Sequence, residues 1–221
     1  MNRPLVIFGT GDIAELAEYY FRTDSDRSVT AFTVDGAFVK EDSFKDRPVI
    51  PFEAIESEFP PSKFDLFVAV SYAGLNRLRS EKMAAAEAKG YALAFYLSSH
   101  AFIWRGFAAA PNLFVLENNV LQPFCRIGRG VTLWSGNHIG HHSAIGDHCF
   151  IASHVVISGG VEIGDHSFIG VNATLRDHIK IGRSCVVGAG AVVLSDAPDE
   201  TVFRATPSEI AKIPSSRLKR I

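Results

Sequence analysis

An α/β unit followed by an all-β, left-handed parallel β-helix is the architecture this sequence predicts, on two observations. The first is the alternation of short apolar runs with amphipathic helical stretches over roughly the first hundred residues. The second is a six-residue period that begins at Val115 and runs to Val193 with an aliphatic residue at every first position. The boundaries expected from these patterns are 1–100 for a Rossmann-like domain, 101–200 for the β-helix and 201–221 for a C-terminal tail.

In the first region Leu5–Phe8 reads as a strand, Gly9-Thr10-Gly11-Asp12 as the turn after it, and residues 13–21, rich in Ala, Glu and Leu, as a helix. Val29–Val34 is the next strand and ends at Asp35-Gly36. Residues 64–70 form another, residues 75–89 a helix closed by Gly90, and residues 91–96 complete the series. Strands alternating with helices predict a small parallel sheet covered on its faces, half the size of a full dinucleotide-binding fold. Read from the residues alone, Gly9-x-Gly11-x-x-Ala14 with Asp35 downstream fits either a nucleotide-binding turn or an ordinary tight strand-to-helix turn.

The hexads run Val115, Leu121, Ile127, Leu133 and onward through Ile181, Val187 and Val193. Fifth positions are mostly small and uncharged, as at Asn119, Cys125, Ser143 and Ala173, so they too face inward. A large and a small inward residue per hexad fits a triangular prism with three hexads to a coil, in which residues eighteen apart stack. The fourth positions then fall at the corners. They include Gly130, Gly136, His142, His148, His154, Gly160, His166, Asn172 and His178, types that tolerate positive φ.

The composition excludes several functions. With 22 Lys and Arg against 24 Asp and Glu, the net charge of −2 gives no footprint for nucleic acid or an anionic membrane. No apolar run approaches the roughly 20 residues of a membrane span, and residues 1–8 lack the pattern of a secretory signal, so a cytoplasmic location is expected. Cys125, Cys149 and Cys185 all occupy fifth positions, where a small buried hydrophobe is wanted, and none forms a C-x-x-C pair.

Seven of the eight histidines lie between His138 and His178, and five of those seven are explained by corner geometry without any metal. His138 occupies a sixth position. His141 is the only histidine in a third position, stacked toward Gly159 and then Asp177. A solvated edge residue and a general base near neutral pH both fit that placement. A glycine beside it lets a ligand approach the backbone, whose N–H can meet a developing oxyanion.

The run Asn137-His138-Ile139-Gly140-His141-His142-Ser143-Ala144-Ile145-Gly146-Asp147, followed by Ile169-Gly170-Val171-Asn172-Ala173, resembles the bacterial sugar acyltransferases with a Rossmann-like N-terminal domain. That family includes bacillosamine N-acetyltransferases and proteins labelled sialic acid O-acetyltransferases. The resemblance implies acetyl transfer from acetyl-CoA, with no metal, to an amino group of a nucleotide-activated sugar. His141 is then the base, His142 stands beside it, and the Gly159 amide holds the thioester carbonyl. It further implies acyl-CoA contacts at Phe150, Gly159, Val171 and Ala189, nucleotide-sugar contacts at Thr10, Gly11, Asp12, Asp35, Gly36 and Ser71, and a homotrimer with the donor between neighbouring prisms.

Three positions depart from the family pattern. His142 stands where an acidic residue often follows the base, which leaves Asp177 as another candidate to orient His141. Asp12 stands where a His is common, and Arg204-Ala205-Thr206-Pro207-Ser208 only loosely matches Gly-x-Pro-Ala. O-acetylation is the close variant. A metal-dependent hydratase of the γ-carbonic anhydrase type and a non-catalytic binding protein are rivals on the same fold.

Overall fold

The computed structural model describes residues 3–208 and 215–217, so most of the last dozen residues of the expected 201–221 tail lies outside the described residues. The N-terminal part is built from β1 (Leu5–Phe8), α1 (Asp12–Thr23), β2 (Val29–Val34), β3 (Ser43–Phe44), β4 (Arg47–Pro51), α2 (Ile55–Glu58), β5 (Asp65–Val68) and α3 (Arg77–Ala88). Its sheet has the order β3-β4-β2-β1-β5 and is parallel except where β3 turns back on β4. β1 lies between β2 and β5 and is buried because both faces are covered, which is why it reads as a continuous apolar run rather than an alternating one.

The first strand, the second strand and both long helices lie where the sequence places them, with helix ends displaced by one or two residues. The segment between β2 and β5 was not legible, because its apolar runs are short and broken by Pro48, Pro51, Pro60 and Pro61. The stretch expected as a last strand at 91–96 is a correction. A single bridge, Leu93 to Leu66, joins it to β5, with the Leu66 N–H donating to the Ala92 carbonyl and the Ala94 N–H to the Leu66 carbonyl at 2.9 Å, whereas Tyr96–Leu97 pairs with Phe114–Val115 and so starts the second architecture. Tyr91 and Tyr96 face opposite ways: one hydroxyl donates to the Phe59 carbonyl at 2.6 Å, the other to the Asp24 carboxylate at 2.6 Å.

From Tyr96 to Phe203 the chain is a parallel β-helix of two-residue strands that form three sheets. The first face runs through Phe114–Val115, Thr132–Leu133, Phe150–Ile151, Phe168–Ile169 and Val186–Val187 to Val202–Phe203. The second runs through Phe102–Ile103, Val120–Leu121, His138–Ile139, Val156–Ile157 and Thr174–Leu175 to Val192–Val193. The third comprises Arg126–Ile127, Ala144–Ile145, Glu162–Ile163 and Lys180–Ile181. Paired residues from Phe114 to Val193 are eighteen apart in sequence, as His138 and Val156 are.

Every first-position aliphatic residue from Val115 to Val193 is buried, and so is every fifth-position residue from Asn119 to Ala191. Most buried fifth-position polar groups are paired: the Asn137 side chain accepts from the Val155 N–H and the Ser143 hydroxyl donates to the Ser158 carbonyl, whereas the Asn119 Oδ1 has no partner among the described residues. The fourth positions all have positive φ, including His142, His148, His154, His166 and His178, so turn geometry does select that column.

The N-terminal part packs on the first face and on the corner between the third and first faces. Arg79 of α3 is 1% exposed and donates to the Gly130 carbonyl at 2.9 Å and to the Cys149 carbonyl at 3.1 Å. Burial pulls its pKa down to about 10, which still leaves it charged at neutral pH. Asn112 mimics one more strand residue at the edge of β5: its side chain accepts from the Val68 N–H and donates to the Val68 carbonyl. Tyr20 of α1 donates to Glu117, whose other oxygen accepts from Ser135.

Candidate active site

His141 and His142 sit at the corner between the second and third faces, both exposed. The turn there is closed from the preceding coil, with the His141 N–H donating to the Gln122 side chain at 3.0 Å and the His142 N–H to the Pro123 carbonyl at 3.2 Å. Their Nδ1 atoms lie 3.1 Å apart, within hydrogen-bond distance, with the rings nearly perpendicular. One of the two nitrogens must donate and the other accept. His142 also packs on Phe124 of the preceding coil, at 4.8 Å between ring centres.

Gly159 lies directly below. The Gly160 N–H donates to the His141 carbonyl at 2.8 Å, and a Cβ on Gly159 would stand 2.6 to 2.7 Å from Cε1 and Nε2 of His141. The imidazole thus lies over the Gly159 Cα, in space that any larger residue there would take from it. The Gly159 N–H has no hydrogen-bond acceptor among the described residues. Asp177 is turned toward His178, 4.0 Å from its Nε2, and is not among the His141 partners; the group against His141 Nδ1 is His142.

Of the expected acyl-CoA contacts, Gly159 alone lies against His141 within one chain. Val171, 43% exposed, and Ala189 stack at the corner between the first and second faces, where the Gly190 N–H donates to the Val171 carbonyl at 2.7 Å. Phe150 is on the first face, 5% exposed, held between Tyr72, Trp134 and Phe168. The second face lies between the two corners, and its outward residues include the exposed Phe102, Val156 and Val192.

Thr10, Gly11, Asp12, Asp35 and Ser71 do come together. They line a cavity of about 610 Å³ at the ends of β1, β2 and β5. Gly9 makes the sharp exit from β1: its φ is +126° and a Cβ would stand 2.6 Å from the Ala69 carbonyl. Gly11 precedes α1, and Asp12 and Ile13 of its first turn line the cavity, while the Ala14 N–H is taken by the Gly11 carbonyl at 2.9 Å. Gly36 is adjacent but not part of the lining, and its N–H is taken by Glu53 at 2.9 Å.

Sequence reasoning missed Lys82, Tyr72, Phe38 and Leu78, which line the same cavity. Lys82 is salt-bridged to Asp35 at 2.6 Å and lies 5.4 Å above the Phe8 ring. Nothing in the α3 sequence distinguishes it from a solvated lysine. Tyr72 joins the two architectures, with its ring 5.0 Å from both Phe150 and Phe168. Among the described residues, no three His, Cys, Asp or Glu side chains come together as a metal site within the chain.

The family model for the bacterial transferase hexapeptide (six repeats) matches residues 112–159 and 160–195. No curated protein matches the chain. Among solved structures, the acetyltransferase domain of PglB from Neisseria gonorrhoeae is 25% identical, covering 91% of this chain and 96% of its own, with a TM-score of 0.79. PerB from Caulobacter crescentus, solved with CoA and GDP-perosamine, is also 25% identical, covering 90% and 92%, with a TM-score of 0.80. WeeI from Acinetobacter baumannii, 22% identical over 90% and 95%, shares the fold with a TM-score of 0.75.

Proposed function

We propose that this chain transfers the acetyl group of acetyl-CoA to an amino group of a nucleotide-activated sugar, with His141 as general base. The observation that carries the reading is the imidazole of His141 lying over Gly159, whose N–H is free. The productive tautomer follows from the Nδ1 pair. With His141 Nδ1–H donating to His142 Nδ1, Nε2 of His141 keeps its lone pair on the side facing Gly159. The opposite assignment puts a proton on Nε2 and disables the base, so His142 acts as the orienting acceptor.

In the reaction, the acceptor nitrogen attacks the thioester carbonyl carbon. The Gly159 N–H donates to the oxygen as it becomes negative, and Nε2 of His141 takes the proton the nitrogen sheds. Collapse of the tetrahedral adduct breaks the carbon–sulfur bond, and the imidazolium returns its proton to the departing thiolate. The products are the sugar amide and CoA, without a covalent enzyme intermediate. A sugar hydroxyl can follow the same course, which keeps O-acetylation as the close variant.

Residues 1–100 serve as a Rossmann-like holder for the nucleotide, residues 101–200 as the acyltransferase helix and residues 201–221 as a tail. The cavity at Thr10, Gly11, Asp12, Asp35 and Ser71 takes the nucleotide, supported by the helix N-terminus and by Lys82. The apolar second face, flanked by the His141 corner and the Val171 corner, supports a homotrimer packed about that face. Each donor site is then made by His141 and Gly159 of one copy with Val171 and Ala189 of the next. Phe150 is assigned to the donor from the family resemblance, and its burial under Tyr72 restricts it to a supporting contact. A cytoplasmic setting goes with acetyl-CoA as donor. PglB and PerB support this reading by the activity and ligands their names carry.

The test is a panel of UDP-, GDP- and dTDP-linked amino sugars incubated with acetyl-CoA, followed by thiol release and mass spectrometry of the sugar. One nucleotide amino sugar is expected to gain an acetyl group on nitrogen. Absence of thiol release with every amino and hydroxyl acceptor overturns the reading.

A further inference from the structure

We infer that Phe124 is a substrate contact: its ring forms the wall of the acyl-transfer site against which the apolar face of the acceptor's pyranose ring lies. The inference deepens the reading above and rests on it. Its starting point is a residue that breaks the pattern of its own column. The corner positions from Asn118 to Gly190 hold Asn, Gly, His and Ser, with one exception, Phe124. Its φ is +69°, in the left-handed region that a bulky side chain avoids. A strained residue retained at one place in a regular repeat points to something the repeat itself does not need.

The strain is not repaid by burial, since Phe124 is 58% exposed. The ring leans on two neighbours, Trp104 at 5.6 Å and His142 at 4.8 Å, which fix its orientation while leaving a face open. It is thus a held, exposed aromatic surface one coil from the His141–His142 pair, about 4.8 Å along the helix axis.

Position along the axis selects the ligand. Gly159 lies one coil beyond His141 in the C-terminal direction, and Val171 and Ala189 lie further the same way, so the donor occupies that side of the base. Phe124 lies one coil in the other direction. What approaches His141 from there is the acceptor. A pyranose presents a face of C–H groups, and an aromatic ring held by its neighbours matches such a face while leaving the hydroxyls to water.

The experiment uses the full chain, the nucleotide amino sugar identified by the panel, acetyl-CoA, and the variants Phe124→Asn and Phe124→Tyr. Asn accepts the left-handed conformation, so Phe124→Asn is expected to melt no lower than wild type and to keep the same oligomeric mass. Its KM for the sugar nucleotide rises about tenfold, the weight of one aromatic contact, and its KM for acetyl-CoA stays within about twofold. Phe124→Tyr restores the sugar KM. The inference is overturned if the sugar KM does not move, if kcat alone falls because the ring merely props His142, or if Phe124→Asn loses its assembly because the ring is a subunit contact. If wild type acetylates no sugar, or if His141→Ala turns over normally, the underlying reading fails and the inference falls with it; a change confined to Phe124 variants leaves that reading intact.

Discussion

Two corners of the same prism, built by the same six-residue rule, carry paired histidines in opposite conditions. At the corner between the third and first faces, third-position carboxylates close the backbone. The Asp147 side chain accepts from the Arg129 N–H, and Asp165 from the Asp147 N–H. His148 and His166 stack at 5.1 Å under the start of α3, where His166 Nδ1 lies 3.3 Å from the Leu75 carbonyl. At the corner between the second and third faces, Gly159 replaces the carboxylate, its N–H is free, and His141 and His142 face solvent. Residue type therefore does not distinguish the histidines of the two corners. What distinguishes them is whether the coils above and below consume the polar groups around it.

The most severe test of that contrast is His141→Ala. With the true acceptor, kcat is expected to fall about 10²–10⁴-fold, the usual weight of a general base, with an unchanged melting temperature because the side chain is outside the core. Steady-state kinetics alongside calorimetry decide it, and normal turnover removes the distinction between the corners. Arg79→Met attacks the other corner. It leaves the Gly130 carbonyl without its donor inside the interface and the Cys149 carbonyl with only the Thr132 N–H, and a loss of about 2–3 kcal/mol is expected in urea unfolding, with little change in kcat per folded enzyme.

Gly159→Ala sharpens the comparison from within the exposed corner. The new methyl group would occupy the space of the His141 ring, so the imidazole must swing away. A fall in kcat of about 10- to 100-fold is expected, with acetyl-CoA affinity measured separately to show that the donor still binds. The smallest effect concerns pH. Burial, assisted by His166, Arg79 and Arg129 and opposed by Asp147, pushes His148 down from 6.5 to about 4. Between those values the unfolded chain binds more protons than the folded one, so this histidine lowers stability as pH falls from 6.5 toward 4. His148→Asn tolerates the same positive φ and should flatten that part of the melting-temperature profile; an unchanged slope would assign the acid loss to other groups.

The β-helix was legible because its constraint is periodic. A triangular coil needs an aliphatic residue every sixth position, and nothing else in the sequence competes with that signal. Residues 36–64 were not legible, since their strands and short helix are defined by pairing to β2 and by Arg47 reaching the Val29 carbonyl at 2.7 Å, contacts without a local signature. The stacking of His141 on Gly159 could be read from the spacing of eighteen. The salt bridge of Lys82 with Asp35 could not, because it joins residues 47 apart through the packing of α3 on the sheet. Phe124 was visible in principle, as a large apolar residue in a column of small and polar ones.

The coil of eighteen also governs which changes of length this chain can absorb. Six residues added or removed between the two ends of the prism would keep every aliphatic residue inward, and the solenoid would still close. Everything beyond the change, however, would turn by a third of a revolution, carrying Gly159 away from His141 and onto another edge. Eighteen residues restore the alignment but lengthen the prism by one coil. Insertions in whole coils on either side of the His141–Gly159 pair therefore leave it intact, while between them even a perfectly folded one separates the imidazole from the Gly159 amide. The gap between those two residues is a fixed length in a part of the chain that could otherwise grow or shrink freely.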